Sequence, residues 1–241
     1  MTAPRLRSET RQGPCDADGA ALVAVLLALV LLMALATGAV LTSITEIRIA
    51  GNFRDGLRAR AAADAAAGIV MSGLRAEADW TQVLSGGTDG AWGVPVELNP
   101  LMADGTRLNV ARETSRLRCG LGRSCTGPEM DEATTVRPWG ANNPRWHLYL
   151  SSPLERWFPA RNLPGARIHL VAWVGDDPAE ADGLPEQDGP GSGSGLLTIR
   201  ARAYISEAIS RTVEVVVAAG PSAGASGVAA FYPRSWREVR R

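Results

Sequence analysis

The 241-residue sequence has no lysine and no excess of either charge, since its 25 basic side chains, all arginine, match its 25 acidic ones. Proteins that bind DNA or RNA usually carry an excess of basic residues, because neutralising phosphates supplies most of their affinity. The balanced charge therefore argues against a nucleic-acid partner.

Histidine is also scarce: His147 and His169 are the only two, and each lies in a strand-like stretch. Two separated histidines cannot build a zinc-protease motif or an evident catalytic triad, so we expect both to be structural. The glycine-rich segment 191–195 is not a P-loop, because it lacks the required lysine and no helix follows it. We therefore expect no enzymatic activity and no organic cofactor.

The sequence has three cysteines, and only Cys119 and Cys125 are close together, with five residues between them. This spacing can close a small disulfide loop, which suits an oxidising compartment. Two unpaired thiols are the alternative. A zinc site is not indicated, because neither a second cysteine pair nor a histidine lies nearby. Cys15 precedes the apolar run described next.

Charged residues are absent from Ala20 to Thr45, a run of 26 residues. As a helix the run would be roughly 39 Å long, against a hydrocarbon core of about 30 Å, so it can cross a bilayer. A buried core helix and a cleaved secretory signal are the alternatives, but the run has no polar stripe and is long for a signal. Basic residues on both sides leave the orientation undecided.

Residues 46–80 are predicted to continue as an amphipathic helix. Apolar or small residues recur every four positions at Leu57, Ala61, Ala65, Ile69 and Gly73. This stripe is predicted to face protein, while charged residues occupy the other sides.

A local weak point is expected at Gly51-Asn52, because both residues disfavour a helix interior. The many alanines that follow would also allow close packing of neighbouring helices, although high helix propensity alone explains them equally well.

After residue 80, short apolar stretches between turn residues predict strands, most clearly at 146–150, 166–174, 196–205 and 211–219. The last two alternate apolar and polar residues, so each has one apolar face, and we expect them to pair as an antiparallel hairpin. The alanine-rich helix supplies a matching apolar cover. The expected fold class is therefore α+β, with a long N-terminal helix packed on an antiparallel sheet.

An acidic loop rich in glycine and proline separates two of these strands. Its carboxylates suggest a Ca²⁺ site, because Ca²⁺ takes six to eight oxygen ligands, although the spacing is not that of an EF-hand. A solvated acidic loop is the alternative. The candidate ligands are Asp176, Asp177, Glu180, Asp182 and Asp188.

Four of the tryptophans in the predicted head are expected to pack in the core, with an exposed binding patch as the alternative: Trp139, Trp146, Trp157 and Trp173. Residues 220–241 combine a Gly/Ser/Ala-rich linker with an arginine-rich end. We predict a flexible tail there.

Three segments carry a family resemblance. Gly19-Ala-Ala-Leu-Val23 opens the apolar run, Glu46 to Asp55 includes the Ala-Gly-Asn-x-Arg-Asp sequence at 50–55, and Ala61-Ala-Ala-Asp-Ala-Ala66 follows. Together they resemble the N-terminal region of PilX-type minor pilins. The match covers about 19–77, with a looser likeness at 171–177 and 211–214.

The resemblance implies that prepilin peptidase cleaves after Gly19 and that Ala20 becomes the methylated N-terminus. The chain would then be a single-pass inner-membrane protein with a periplasmic head until it enters a pilus. Its partners would be prepilin peptidase and other minor and major pilins. Major pilins have glutamate as the fifth residue after the cut, where this chain has Ala24, which favours a priming or tip role.

The expected organisation is a leader at 1–19, a transmembrane and filament-core helix at 20–45, an amphipathic helix at 46–80, a head at 81–219 and the tail at 220–241. A GspK-type pseudopilin of type II secretion and a membrane-anchored binding protein unrelated to pili remain alternatives.

Overall fold

The computed structural model describes residues 17–77, 79–86, 93–135, 145–159, 167–177, 195–222 and 229–239. The chain divides into two compact units, Met1–Gly51 and Asn52–Arg241. The helices are α1 (Ala17–Ala76), α2 (Thr81–Leu84), α3 (Val110–Cys119) and α4 (Gly127–Thr135). The strands are β1 (His147–Pro153), β2 (His169–Asp176), β3 (Leu196–Tyr204), β4 (Ser210–Ser222) and β5 (Ala229–Val239).

Helix α1 ends at Ala76, a few residues before the predicted end of the amphipathic segment. The indole Nε1 of Trp80 donates to the carbonyl of Leu74 at 3.0 Å and so satisfies one of the carbonyls left unpaired at a helix end. The carboxylate of Asp79 then accepts the amide of Thr81 at 2.9 Å at the start of the short α2.

Helix α1 passes through Gly51-Asn52 without a break, although the boundary between the two units falls there.

The five strands form one antiparallel sheet in the order β1-β2-β3-β4-β5. All four predicted strands are present, shifted by at most a few residues, and β3 pairs with β4 as expected. Each connection joins neighbouring strands, so the sheet is a simple meander. The fold is α+β, as predicted.

The inner face of the sheet packs against the second half of α1. The helix contributes a stripe of small residues that are at most 4% exposed: Ala59, Ala62, Ala63, Ala66 and Ala67. The strands contribute larger side chains, such as Ile199, Val215 and Val217. Small alanine side chains on the helix allow the branched side chains of the sheet to approach the helix backbone closely.

The predicted apolar stripe on α1 is confirmed only in part, since Ala65 is half-buried and Ile69 packs partly buried against the core. Leu57 is 56% exposed and Ala61 is also exposed, whereas Gly73 is buried. A spacing of four residues advances about 400° around a helix, so such a stripe drifts by about 40° per step and does not stay on one face. The buried stripe instead alternates steps of three and four residues, which keeps it facing the sheet.

The outer face of the sheet is covered as well, at β1 to β3, by the segment that leads into α3. The sequence predicted a polar outer face on β3, but Thr198, Arg202 and Tyr204 are all buried. A second apolar cluster lies here and includes Val110 of α3 and Trp173 of β2. The sheet is therefore enclosed between two layers at β1 to β3.

The predicted flexible tail was wrong for residues 229–239, which form β5 and pair with β4. Two contacts hold this strand on α1: Arg60 pairs with Glu238, and the indole Nε1 of Trp236 donates to Asp64 at 2.9 Å. A third contact lies just beyond the helix, where Phe231 packs edge-on against Trp80. Pro233 and a register shift opposite Val216 and Val217 interrupt the two-residue alternation that marks a strand in sequence.

Candidate functional site

The first candidate site is the apolar part of α1. From Leu22 to Ile49 its large apolar side chains are between 43% (Ile44) and 72% (Ile47) exposed. A monomeric protein in water rarely exposes so large a continuous apolar surface. Among the described residues, α1 is the one helix that is both long enough and apolar enough to cross a membrane.

Three polar side chains in this segment bond within the helix. The hydroxyls of Thr37, Thr42 and Thr45 each donate to the carbonyl four residues earlier, at 2.8–2.9 Å. A hydroxyl without a partner is costly in hydrocarbon, whereas one bonded to its own helix can be accommodated. The helix surface therefore suits an apolar environment.

The predicted cleavage site, Gly19-Ala20, lies within the first turns of α1, and both residues are exposed. Ala24 is also exposed and one turn further along. Residues 1–16, including Cys15, lie outside the described part of the chain. The cleavage site stays a prediction.

The predicted disulfide is present between Cys119 and Cys125, with the two Cα atoms 6.3 Å apart. It joins the last residue of α3 to the segment just before α4. Gly120 follows α3 in the left-handed conformation, with φ of 75°, which glycine adopts without strain. Because α3 covers the sheet, the bridge ties a surface loop to this layer.

The two histidines lie at structural positions. His169 is 5% exposed, and its Nε2 lies 3.0 Å from the hydroxyl of Ser151. That hydroxyl donates to the carbonyl of Glu97 at 2.5 Å, so the imidazole is the donor to Ser151. The contacts attach the segment around Glu97 to β1.

Burial lowers the pKa of His169 to about 4. The pKa of His147 is also lowered to about 4, mainly by burial and further by Arg118 and Arg145. Both imidazoles are therefore neutral near pH 7.

The proposed Ca²⁺ ligands are only partly within the described chain. Asp176 ends β2, and its Oδ1 accepts the amide of Asp177 at 2.7 Å. Glu180, Asp182 and Asp188 lie outside the described residues. Within the described ranges no group of three or more His, Cys, Asp or Glu side chains is arranged to hold a metal ion, and the Ca²⁺ site stays a prediction.

Trp146 and Trp173 are each 3% exposed, which confirms the expectation of core packing for these two. Trp157 packs partly buried against the inner core. Trp139 lies outside the described residues.

A buried ionic cluster that no sequence pattern indicated lies beneath α3. Glu113 is 8% exposed and accepts from Arg202 at 3.2 Å, from Arg116 at 2.9 Å and from the Tyr204 hydroxyl at 3.3 Å. Arg202 also donates to the hydroxyl of Ser210 at 2.8 Å. The residues come from α3, β3 and β4, which are far apart in sequence, so no spacing rule could have grouped them.

No protein-family model, curated protein or solved structure matches the chain.

Proposed function

We propose that this chain is a non-enzymatic minor pilin of the PilX type that acts in type IV pilus assembly, in a priming or tip complex. The observation that carries the proposal is α1 itself. Its first part is uncharged and apolar on all sides, whereas its second part is the helical layer of an α+β domain. This division suits a subunit that is held in a membrane by one helix and later packs that helix among others.

The physical basis is that lipid and a helix bundle are both apolar surroundings. Moving the exposed surface of α1 from one to the other therefore costs little hydrophobic stabilisation, provided that the new neighbours pack well. The internally bonded threonine hydroxyls need no partner in either place.

Ala24 supports a place at the end of a filament. The glutamate at this position in major pilins is thought to pair with the terminal amine of a neighbouring subunit, and alanine cannot form that ion pair. In this proposal prepilin peptidase removes residues 1–19, the head stays periplasmic before assembly, and the subunit contacts other pilins through α1.

Processing tests the proposal directly. The chain is expressed with a prepilin peptidase, extracted from membranes and analysed by intact mass spectrometry. We expect a mature chain that begins at N-methylated Ala20. Gly19→Ile should block cleavage, because a branched side chain at the cleavage position hinders the peptidase. Gly38→Ala is the control, since Gly38 is also exposed on α1, has open space around it and lies beyond the cleavage site.

A chain that still begins at Met1 in the presence of an active peptidase would contradict the proposal. Co-purification of the processed chain with other minor pilins, and not with secretion pseudopilins, would distinguish a pilus role from a GspK-type role.

A further inference from the structure

The two edge strands of the sheet, β1 and β5, are held in place in different ways. In β1 the side chains of residues 149–152 are buried, and the carbonyl of Ser151 accepts the amide of Glu97 at 2.9 Å. In β5 the side chains of residues 231–239 are half-buried or exposed, and none of these is buried. Because burial of apolar surface is the main favourable term in folding, β5 is attached much less firmly than β1.

The core between α1 and the sheet is complete without β5. Among the described residues, its buried side chains come from α1, α2, β1 to β4 and the segments next to them. Val213, Val215 and Val217 of β4 belong to it, and β4 pairs with β3 without a register shift. From β5 the half-buried ring of Phe231 packs against this core. Detaching β5 therefore leaves the buried side chains of the core in place.

The backbone pairing of β5 with β4 is irregular. Its register shifts twice, between Val216 and Val217 and again between Ala219 and Ser222. Pro233 lies in the paired part of β5 and has no N–H to donate to the ladder. Fewer backbone hydrogen bonds fix this strand than a regular strand of the same length.

The side-chain contacts of β5 are largely ionic, and one carboxylate is central to them. Glu238 pairs with Arg60 of α1, and its Oε1 lies 3.6 Å from the Nε of Arg211 of β4. The three side chains are 27%, 34% and 46% exposed. Ion pairs that reach the solvent contribute little each and are weakened by salt.

Two further polar contacts hold β5, and each uses a carboxylate of another element. Arg237 pairs with Glu214 of β4, and the indole Nε1 of Trp236 donates to Asp64 of α1 at 2.9 Å. Arg237 is 64% exposed and Asp64 is 37% exposed, so solvent reaches both contacts. Charge, more than apolar burial, therefore keeps β5 on the sheet.

We propose that β5 is a detachable strand, which separates from β4 and α1 as one piece while α1 and the other four strands stay folded. Local opening of this kind involves the elements with the fewest buried contacts. In the open form β4 becomes the edge of the sheet, and the backbone groups that β5 had paired are exposed. Since charged contacts hold the strand, ionic strength controls the opening.

The test is hydrogen–deuterium exchange of the full chain in lipid nanodiscs, read by mass spectrometry. The comparison is between amides bonded across the sheet in β1 and in β5, since each strand has one free edge. After correction for intrinsic rates, β5 should exchange about tenfold or more faster than β1. Raising NaCl from about 0.05 M to about 0.5 M should speed exchange in β5 about threefold and leave β1 to β3 unchanged.

Glu238→Gln removes the carboxylate that Arg60 and Arg211 share. Exchange in β5 should rise about three- to tenfold, with β1 to β3 unchanged. Glu129→Gln is the matched control, because Glu129 of α4 is also 27% exposed and also pairs with an arginine, Arg123. This variant should leave exchange in β5 within about twofold of the wild type.

Equal exchange in the two edge strands overturns the proposal. Exchange that rises in β1 to β3 together with β5, at high salt or in Glu238→Gln, also overturns it, because β5 would then unfold only with the whole head. A rate in β5 that does not respond to salt overturns the ionic control of the opening.

Discussion

Tyr149 and Gly73 are in direct contact across the interface between β1 and α1. A Cβ atom added to Gly73 would lie 2.7 Å from the hydroxyl oxygen of Tyr149. Burial, with a smaller effect from Glu77, raises the pKa of this hydroxyl to about 12. Glycine is therefore required here for space and not for an unusual backbone conformation.

Gly73→Ala should destabilise the domain by about 1–3 kcal/mol, because the tyrosine or the helix must move to admit the methyl group. The measurement is denaturant unfolding of the detergent-solubilised full chain, followed by tryptophan fluorescence. Gly68→Ala is the matched control. Gly68 is in the same helix with open space around it, so alanine should be neutral or stabilising by up to about 1 kcal/mol.

Tyr149→Phe removes the clashing oxygen and should recover part of the loss when combined with Gly73→Ala. Equal stabilities for the two glycine variants would show that α1 and β1 are not packed as described.

The buried pair Glu113 and Arg202 gives a second prediction. Glu113→Gln should destabilise the chain by about 3–5 kcal/mol, because it leaves the guanidinium of Arg202 buried without its carboxylate. The exposed pair Arg112 and Glu207, with its atoms 3.1 Å apart, is the control, and Glu207→Gln should cost less than about 1 kcal/mol. The same unfolding assay compares them, and similar small losses for both would mean that α3 does not cover the sheet.

The C-terminal strand provides a third prediction, in which neighbouring residues serve as test and control. Phe231 lies at the end of α1, where its ring centroid is 5.4 Å from the guanidinium carbon of Arg75, and it also packs against Trp80, which follows the helix. Phe231→Ala should cost about 1–3 kcal/mol, less than a fully buried phenylalanine. Tyr232 lies on the opposite face and is 40% exposed, so Tyr232→Ala should cost less than about 1 kcal/mol. If residues 229–239 were a flexible tail, Phe231→Ala and Tyr232→Ala would lower the free energy of unfolding equally little.

The fourth prediction concerns pH. The pKa of His169 is about 4 in the folded protein and near 6.5 in an unfolded chain, so the unfolded state binds more protons between these values. Stability should therefore fall as the pH is lowered from 6.5 to 4, by up to about 3 kcal/mol for this residue. His147 acts in the same direction.

Urea unfolding at intervals across this range checks the slope. His169→Gln keeps a polar group near Ser151 but cannot titrate. Between pH 6.5 and 4 its free energy of unfolding should therefore fall by up to about 3 kcal/mol less than that of the wild type. Parallel curves for the two proteins would contradict a buried neutral imidazole.

Several features were predictable because local sequence determines them. The uncharged run at 20–45 specifies a helix that suits an apolar environment, whatever the rest of the chain does. The alternation in β3 and β4 specifies strands with one apolar face. The six-residue separation of Cys119 and Cys125 predicted that a disulfide could form, but not that it would join the end of α3 to the segment before α4.

The errors arose where a residue's role depends on a distant partner. The face of α1 that contacts the sheet was predicted only in part, because a four-residue spacing drifts around the helix. The strand β5 was missed because it is held by Arg60, Asp64 and Trp80, all of them more than 140 positions away from it.

Sequence alone thus determined the helix, its apolar first part and most of the sheet, since hydrophobic period and the absence of charge are properties of neighbouring residues. Tertiary structure alone decided which side of α1 is buried, that Glu113 meets Arg202, and that residues 229–239 form an edge of the sheet. Those outcomes depend on side chains that become neighbours only when the chain has folded.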